Sequence, residues 1–315
     1  METDIRDNVV DKVAEYSKDS KYSVRELLSM IDLNPSRYYD WRSRYGSPNK
    51  HNGFAPCVNW TLPEEEQAVV DFYRTHEYEG YRRMTYKMMD EDVAVLSPST
   101  VYRILKKKGL LVRWNIKISG KGTGFKQPIK AHDHWHTDIS YINILGNIFY
   151  LISVLDGYSR YVLEYDVRAS MTEYDVELVL QKCHEKHPDA KPRIISDNGA
   201  QFISKDFKEF IKLKNFTHVR TSVNYPQSNG KIERFHGTIK QEAIRKQSYV
   251  SEADAKRQIK NYIDKYNNQR LHSALYYLTP ADFLFNRFEE KLKIRETKIK
   301  EAKERRIKTW LTSAA

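Results

Sequence analysis

Cysteine is nearly absent from this 315-residue chain: Cys57 and Cys183 stand far apart, without paired spacing. That excludes a disulfide framework and a cysteine-ligated structural zinc site, and fits a reducing, intracellular setting. No apolar run approaches the ~20 residues of a membrane span, and the charged first residues offer no signal-peptide core. A soluble, cytoplasmic protein without a membrane partner is therefore expected. Negative charge is also in short supply, because 42 Asp and Glu face 53 Lys and Arg, leaving a formal charge of +11. With 22 Tyr interspersed, this balance favours a large acidic partner such as a polynucleotide, although charge alone does not separate DNA from RNA or a membrane surface. The length suits two or three domains of about 100–150 residues.

What is present begins with helix signals. Ser23-Val24-Arg25-Glu26 has the form of a capping box and opens a short helix to about Met30. Asn34-Pro35 then supplies an N-cap and a first-turn proline for a helix carrying Arg37, Tyr38, Tyr39, Trp41 and Arg42. Helix, turn and basic-aromatic helix make residues 1–46 a helix-turn-helix candidate, with Arg37 and Arg42 as DNA contacts; the competing explanation is a helical hairpin that only packs on its neighbours. Three prolines, Pro48, Pro56 and Pro63, with Gly46, Gly53, Asn49 and Asn52 mark residues 47–63 as a linker.

Residues 64–115 read as a second helix-turn-helix-like unit. One helix carries Arg82 and Arg83; another, opened by Ser97-Pro98, carries Arg103, Lys106 and Lys107 and stops at Gly109. Arg82, Arg83, Arg103, Lys106 and Lys107 are DNA-contact candidates on these helices, although the lysines equally suit the negative end of a helix dipole. The stretch 116–130, with Gly120, Gly122 and Gly124 among lysines, lacks phosphate-loop spacing and reads as a basic linker.

From residue 131 the period changes to two. Trp135, Thr137, Ile139 and Tyr141 alternate with His134, His136, Asp138 and Ser140, predicting a half-buried strand with Asp138 on its polar side. Strands follow at 149–155 and 161–167, then a helix capped by Thr172 that makes Cys183 a core residue. A strand at 193–196, a helix at 206–213 and a strand at 217–221 complete an α/β order with a mixed sheet between helices, over residues 131–250. Helices are expected from Ser228 and from about Ser251. The last region, 251–315, ends in a basic tail, whose excess of Lys and Arg predicts a DNA-facing or subunit-bridging helix.

Three carboxylates stand out. Asp138 lies in the first strand, Asp197 at the end of the fourth, and Glu233 one turn into a helix. Taken singly they are a strand residue, a turn former before Asn198-Gly199, and a first-turn glutamate favoured by the dipole. Together they offer the hard oxygen ligands that divalent cations need during phosphodiester chemistry, where two ions stabilise the attacking and leaving oxygens.

Thirty-five residues separate Asp197 from Glu233, and Trp135-His136-Thr137-Asp138, Ile195-Ser196-Asp197-Asn198-Gly199 and Asn229-Gly230-Lys231-Ile232-Glu233-Arg234-Phe235-His236 flank the three. On these motifs the chain resembles the DDE integrase-core transposases of bacterial insertion sequences. Gly80-Tyr81-Arg82-Arg83, Val101-Tyr102-Arg103-Ile104-Leu105, His272-Ser273-Ala274 and Thr279-Pro280-Ala281-Asp282-Phe283 narrow the resemblance to the OrfB class.

The resemblance implies an RNase H-like catalytic core with helix-turn-helix domains before it and helices after it. It implies Asp138, Asp197 and Glu233 as ligands to two Mg²⁺ ions, with Mn²⁺ as a substitute. The expected reaction nicks transposon terminal repeats and joins the 3′-OH to target DNA with no covalent protein–DNA intermediate. Lys240 matches a position that touches transposon-end DNA, and Lys231, Arg234 and His236 are further DNA candidates; each is also explicable as a surface or packing residue. At least a dimer on double-stranded DNA, associated with a bacterial nucleoid, is implied. The chain departs from retroviral integrases in having no zinc-binding His and Cys set, and shows no sustained heptads before residue 50. It is either a compact transposase or part of one. Rival functions are a repressor that binds the element's ends and an RNase H-type nuclease.

Overall fold

The computed structural model describes residues 3–47, 60–76, 79–111, 127–221, 229–246 and 248–313. Most of the two linkers read from the sequence, and the loop 222–228 before Glu233, lie outside that set. The chain groups into two compact units, residues 1–60 with 305–315, and residues 61–304.

In the first unit, helices α1 (Thr3–Asp19), α2 (Val24–Met30) and α3 (Pro35–Ser43) enclose Val10, Val13, Leu28 and Tyr38. The cap signals at Ser23 and Asn34 act as read: each side chain accepts an amide of the following turn, and Glu26 completes the capping box. Helix α1, by contrast, is not flagged by any cap. It is held by packing and by the buried Arg6, whose guanidinium donates to the carbonyls of Arg44 and Ser47 at 2.9 and 2.8 Å.

The second unit opens with α4 (Pro63–Thr75), α5 (Tyr81–Asp90) and α6 (Pro98–Lys107), packed around Val69, Met84, Met88, Val101 and Leu105. Pro63 is the first residue of α4, where a missing N–H costs nothing. Glu65 reaches back to the Leu62 amide at 3.0 Å. Gly109 follows α6 at φ +69°, a left-handed position that favours glycine.

Strands β1 (His134–Ile144), β2 (Asn147–Asp156), β3 (Val162–Arg168), β4 (Arg193–Ser196) and β5 (Thr217–Arg220) form one sheet in the order β3-β2-β1-β4-β5. The first three are antiparallel, while β4 runs parallel to β1 and β5 to β4. Helices α7 (Glu173–Lys186), α8 (Ala200–Ile203) and α9 (Lys205–Leu213) bury Val176, Leu180, Cys183 and Phe207 against Trp135, Ile152 and Val154 on one face. Helices α10 (Gly230–Ile239) and α11 (Glu252–Asn268) bury Ile232, Phe235, Ile239 and Ile263 against Ile142, Ile144 and Leu151 on the other. Between them α10 continues as a π-helical segment, Lys240–Ile244. A 3₁₀ turn at Ser273–Leu275, α12 (Pro280–Leu284) and α13 (Phe288–Ser313) complete the chain. This is the RNase H-like α/β architecture expected from the sequence, with helices before and after it.

Two expectations are corrected. The face of β1 that carries Asp138 is not a solvent face: Ile142 and Ile144 on it are buried under α10, as are His136 and Ser140, whereas Tyr141 on the opposite face is exposed. A sheet sandwiched between helices buries both sides, so the alternation of polar and apolar residues misassigns the outside. The basic tail is likewise not uniformly free. Arg295 is buried and donates to both carboxylate oxygens of Asp90, and Lys298 bonds the Met89 carbonyl and Asp92.

Candidate active site

Parallel pairing brings the two aspartates together. His134, Trp135 and His136 of β1 pair with Arg193, Ile194 and Ile195 of β4, and the same register continued two residues sets Asp138 beside Asp197. Asp197 follows directly on β4, where its Oδ1 accepts the Gly199 amide at 2.9 Å, and Asn198 donates to the Thr221 carbonyl at 2.8 Å. Both contacts fix the turn at the carboxyl end of the strand. Across the antiparallel ladder Asp138 faces Ser153 of β2.

Helix α10 delivers the third carboxylate. Ile232, Phe235 and Ile239 bury its apolar stripe on the sheet, which leaves Glu233 in the first turn and on the exposed side. Its carboxyl is held above the ordinary glutamate range by partial burial, then by the charge of Asp138; Asp197 adds to this and His236 opposes it. The three acids therefore act on one another electrostatically. Among the described residues, no group of three Asp, Glu, His or Cys side chains is gathered tightly enough to close on one ion as it stands.

His236, one turn beyond Glu233, is buried and spans the two strands. Its Nδ1 lies 3.3 Å from Asp138 Oδ2, and its Nε2 lies 2.7 Å from Ser153 Oγ. Lys231, on the preceding turn, donates to the Gly157 carbonyl at 2.8 Å. Burial, then the charge of Arg160, brings its pKa down to about 7. Gly157 is required by crowding, because a Cβ there would stand 2.9 Å from His136 Nε2. His136 itself is kept neutral: burial and the charges of Lys231 and Arg160 push its pKa down to about 3.

The structure thus brings Asp138, Asp197, Glu233, His236 and Lys231 together where α10 packs on the interior strands of the sheet, with the polar atoms of the last two engaged inside the protein. Of the other candidates, Arg37, Arg42, Arg82, Arg103, Lys106, Lys107 and Arg234 are exposed, Lys240 is half-buried at the start of the π-helical segment, and Arg83 is half-buried. Sequence reasoning did not find Ser153, which carries no signal inside an apolar strand. Nor did it find the ion pair of Glu242 with Arg270, at 2.7 and 2.9 Å, joined by the Tyr262 hydroxyl at 2.9 Å. These contacts tie the π-helical segment to α11.

Comparison with known proteins places this geometry. Residues 129–226 and 214–280 match two models of the integrase core domain. The chain is 34% identical to the putative integrase ORF3 of Spiroplasma virus SpV1-C74, with 84% of each chain covered. It is 25% identical to the transposase for insertion sequence element IS629 of Shigella sonnei, covering 83% of this chain and 91% of that one. It is 22% identical to the putative transposase InsK for IS150 of Escherichia coli, with 83% and 93% covered. Among solved structures, the HTLV-2 integrase catalytic core domain in complex with magnesium superposes with a TM-score of 0.43 at 16% identity, covering 50% of this chain and 99% of that one. With the extended match to an integrase and the matched core spanning all three carboxylates, the chain belongs to the integrase-core family as a DDE transposase of the OrfB-like insertion-sequence class.

Proposed function

We propose that Asp138, Asp197 and Glu233 are the catalytic carboxylates of this transposase and hold two Mg²⁺ ions, for which Mn²⁺ substitutes. The observation that carries this reading is the β1–β4 register: continued from His136 and Ile195, it leads to Asp138 in the middle of β1 and Asp197 just past the carboxyl end of the adjacent parallel strand β4, and the charges of both act on Glu233. The donors fit the group. All three are hard carboxylate oxygens, and their mutual repulsion is relieved by a cation between them. Asp138 and Asp197 are fixed by strand and turn contacts, whereas Glu233 is exposed on its helix, so it is the side chain that swings to close the set. Bound divalent ions supply charge stabilisation to the attacking and leaving oxygens of an in-line displacement.

The chain's own residues bind and orient. In the first step water attacks a phosphodiester at the transposon end, its P–O bond forming as the bond to the 3′ oxygen breaks, to leave a 3′-OH and a 5′-phosphate. That 3′-OH then attacks a phosphodiester of the target, again with one P–O bond forming as another breaks and a target 3′-OH leaving. His236 acts as a positioning residue, holding Asp138 from behind and locked in turn by Ser153. Lys231 pins α10 to the turn after β2. The exposed cations of α3, α5 and α6, namely Arg37, Arg42, Arg82, Arg103, Lys106 and Lys107, with Arg234 and Lys240 of the catalytic helix, neutralise phosphates of terminal-repeat and target DNA. Two ends must be handled together, which calls for at least a dimer on DNA at the bacterial nucleoid. No helix among the described residues is long and apolar enough to cross a membrane.

The test uses labelled duplex carrying the element's ends with MgCl₂. Wild type yields nicked and joined strands, and Asp138→Ala, Asp197→Ala and Glu233→Ala yield neither. Equal products from all four proteins would overturn the assignment.

A further inference from the structure

A cleft of about 1210 Å³ opens between α5, the π-helical segment, α11 and the start of α13, and none of the three carboxylates lines it. Its acidic residues are largely claimed by neighbours. Glu79 pairs with Lys87 at 3.3 Å, Glu242 with Arg270 at 2.7 Å, and Asp282 with Arg287 at 3.6 Å. Arg83 is left over. It is half-buried in the cleft wall and makes no hydrogen bond or ion pair among the described residues. Burial, then the charge of Arg270, pulls its pKa below the ordinary arginine range; Glu242 and Glu79, which oppose this, are already engaged. A guanidinium does not shed its proton in a protein, so an under-compensated one is relieved by an anion. Lys265 and Lys291, exposed on the rim of the same cleft, also lack an acidic partner among the described residues.

We infer that this cleft binds the phosphodiester backbone of a DNA strand, with Arg83 gripping one phosphate and Lys265 and Lys291 facing its neighbours. The inference rests on the reading of the chain as a DNA-acting enzyme and adds to it a second contact surface. A fork of N–H donors matches two phosphate oxygens, and separate point charges beside it suit a repeating backbone rather than a single small anion. One wall of the cleft is the π-helical segment that continues the catalytic helix, so a strand held there is tethered to the element that carries Glu233. Such π-helical insertions concentrate at functional sites.

The experiment measures binding of a fluorescein-labelled duplex of arbitrary sequence to the full chain in EDTA, across a KCl series. Arg83→Gln should weaken binding about tenfold and lower the slope of log K against log salt by about one; the Lys265→Gln, Lys291→Gln pair should lower it by about two. The lysine pair is exposed and tests the site even if Arg83→Gln fails to fold. Wild-type affinity and slope in both variants would overturn the inference. So would competition by a polyglutamate peptide at lower concentration than unlabelled duplex, which would assign the cleft to an acidic protein. Protection of Arg83 from dicarbonyl modification by inorganic phosphate but not by duplex would likewise overturn it, leaving a small-anion site. Because EDTA removes the reaction from the readout, failure here is distinct from failure of the catalytic assignment, which the Asp138→Ala joining assay reads separately.

Discussion

Asp138 of β1 and His236 of α10 stand 3.3 Å apart, carboxylate oxygen to Nδ1, while the other ring nitrogen is 2.7 Å from Ser153 Oγ, the residue facing Asp138 across the ladder. One imidazole thus fixes a carboxylate through the neighbouring strand. Side chains that orient a metal-binding carboxylate typically change metal affinity or activity by about 10–100-fold when removed. His236→Ala should therefore raise the Mg²⁺ concentration for half-maximal joining within that range, and Ser153→Ala should do so more weakly. Single-turnover joining across a MgCl₂ series checks this. A fall in rate with an unshifted Mg²⁺ dependence would show that His236 does not act through Asp138.

The same arrangement predicts opposite effects on activity and on stability. Removing a metal-binding carboxylate forfeits several kcal/mol of transition-state stabilisation, or about 10³-fold or more in rate. Glu233 is nonetheless held above its ordinary pKa by partial burial and by the charges of Asp138 and Asp197, so the acids repel one another in the metal-free protein. Asp138→Asn and Glu233→Gln should melt at or above the wild-type temperature in EDTA and gain less than wild type when MgCl₂ is added. Thermal melts with and without the ion read both effects.

Much of this fold was legible where the signal is local. The caps at Ser23, Asn34, Ser97, Thr172 and Ser251 all open helices as their hydrogen-bonding chemistry requires, and the apolar runs of β2 and β4 mark central strands. Signals that depend on what lies opposite were not legible. The even-numbered face of β1 looks polar because His134, His136 and Ser140 lie on it, yet α10 covers it. Pro63 reads as a breaker although it begins α4. Ser153 and His236 are far apart in sequence, and nothing in either segment announces the other. The three carboxylates stand out in the sequence because their types and flanking residues are distinctive, while the side chains that contact them belong to the packing.

Asp175 gives the fold a pH dependence of known sign. Burial alone would raise its pKa, but the backbone and hydroxyl of Thr172, the Ser170 hydroxyl and Arg168 all donate to it and hold it at about 2. The folded value lies below the unfolded one of about 3.9. The carboxylate therefore stabilises the native state fully above the unfolded value, and that contribution is lost as pH falls through the folded one. Asp175→Asn should cost about 1–3 kcal/mol at pH 7, in the range for a lost cap and charged hydrogen bonds. Urea unfolding should show the penalty shrinking between pH 4 and pH 2, and a penalty constant across that window would refute the assignment.

Arg295 makes the start of α13 part of the second unit. Its side chain is 5% exposed and donates to both oxygens of Asp90 at 2.8 and 2.6 Å, and to the carbonyls of Tyr276 and Tyr277 at 3.0 and 2.7 Å. Tyr276 and Tyr277 both have positive φ, a conformation that bulky side chains disfavour, and their carbonyls are turned onto the guanidinium. Asp90 is 32% exposed, so the pair contributes less than a fully buried one. Arg295→Ala should cost about 2–3 kcal/mol, below the 3–5 expected when a wholly buried pair is broken. Arg295→Lys should recover little of it, because an ammonium cannot span two carboxylate oxygens and two carbonyls with a planar fork. Asp90→Asn, which keeps one acceptor oxygen, should cost less than either. Urea unfolding of the three variants tests this order. If salt removed the difference between wild type and Arg295→Ala, the contact would be an ordinary surface pair, and the helix would depend on its other contacts.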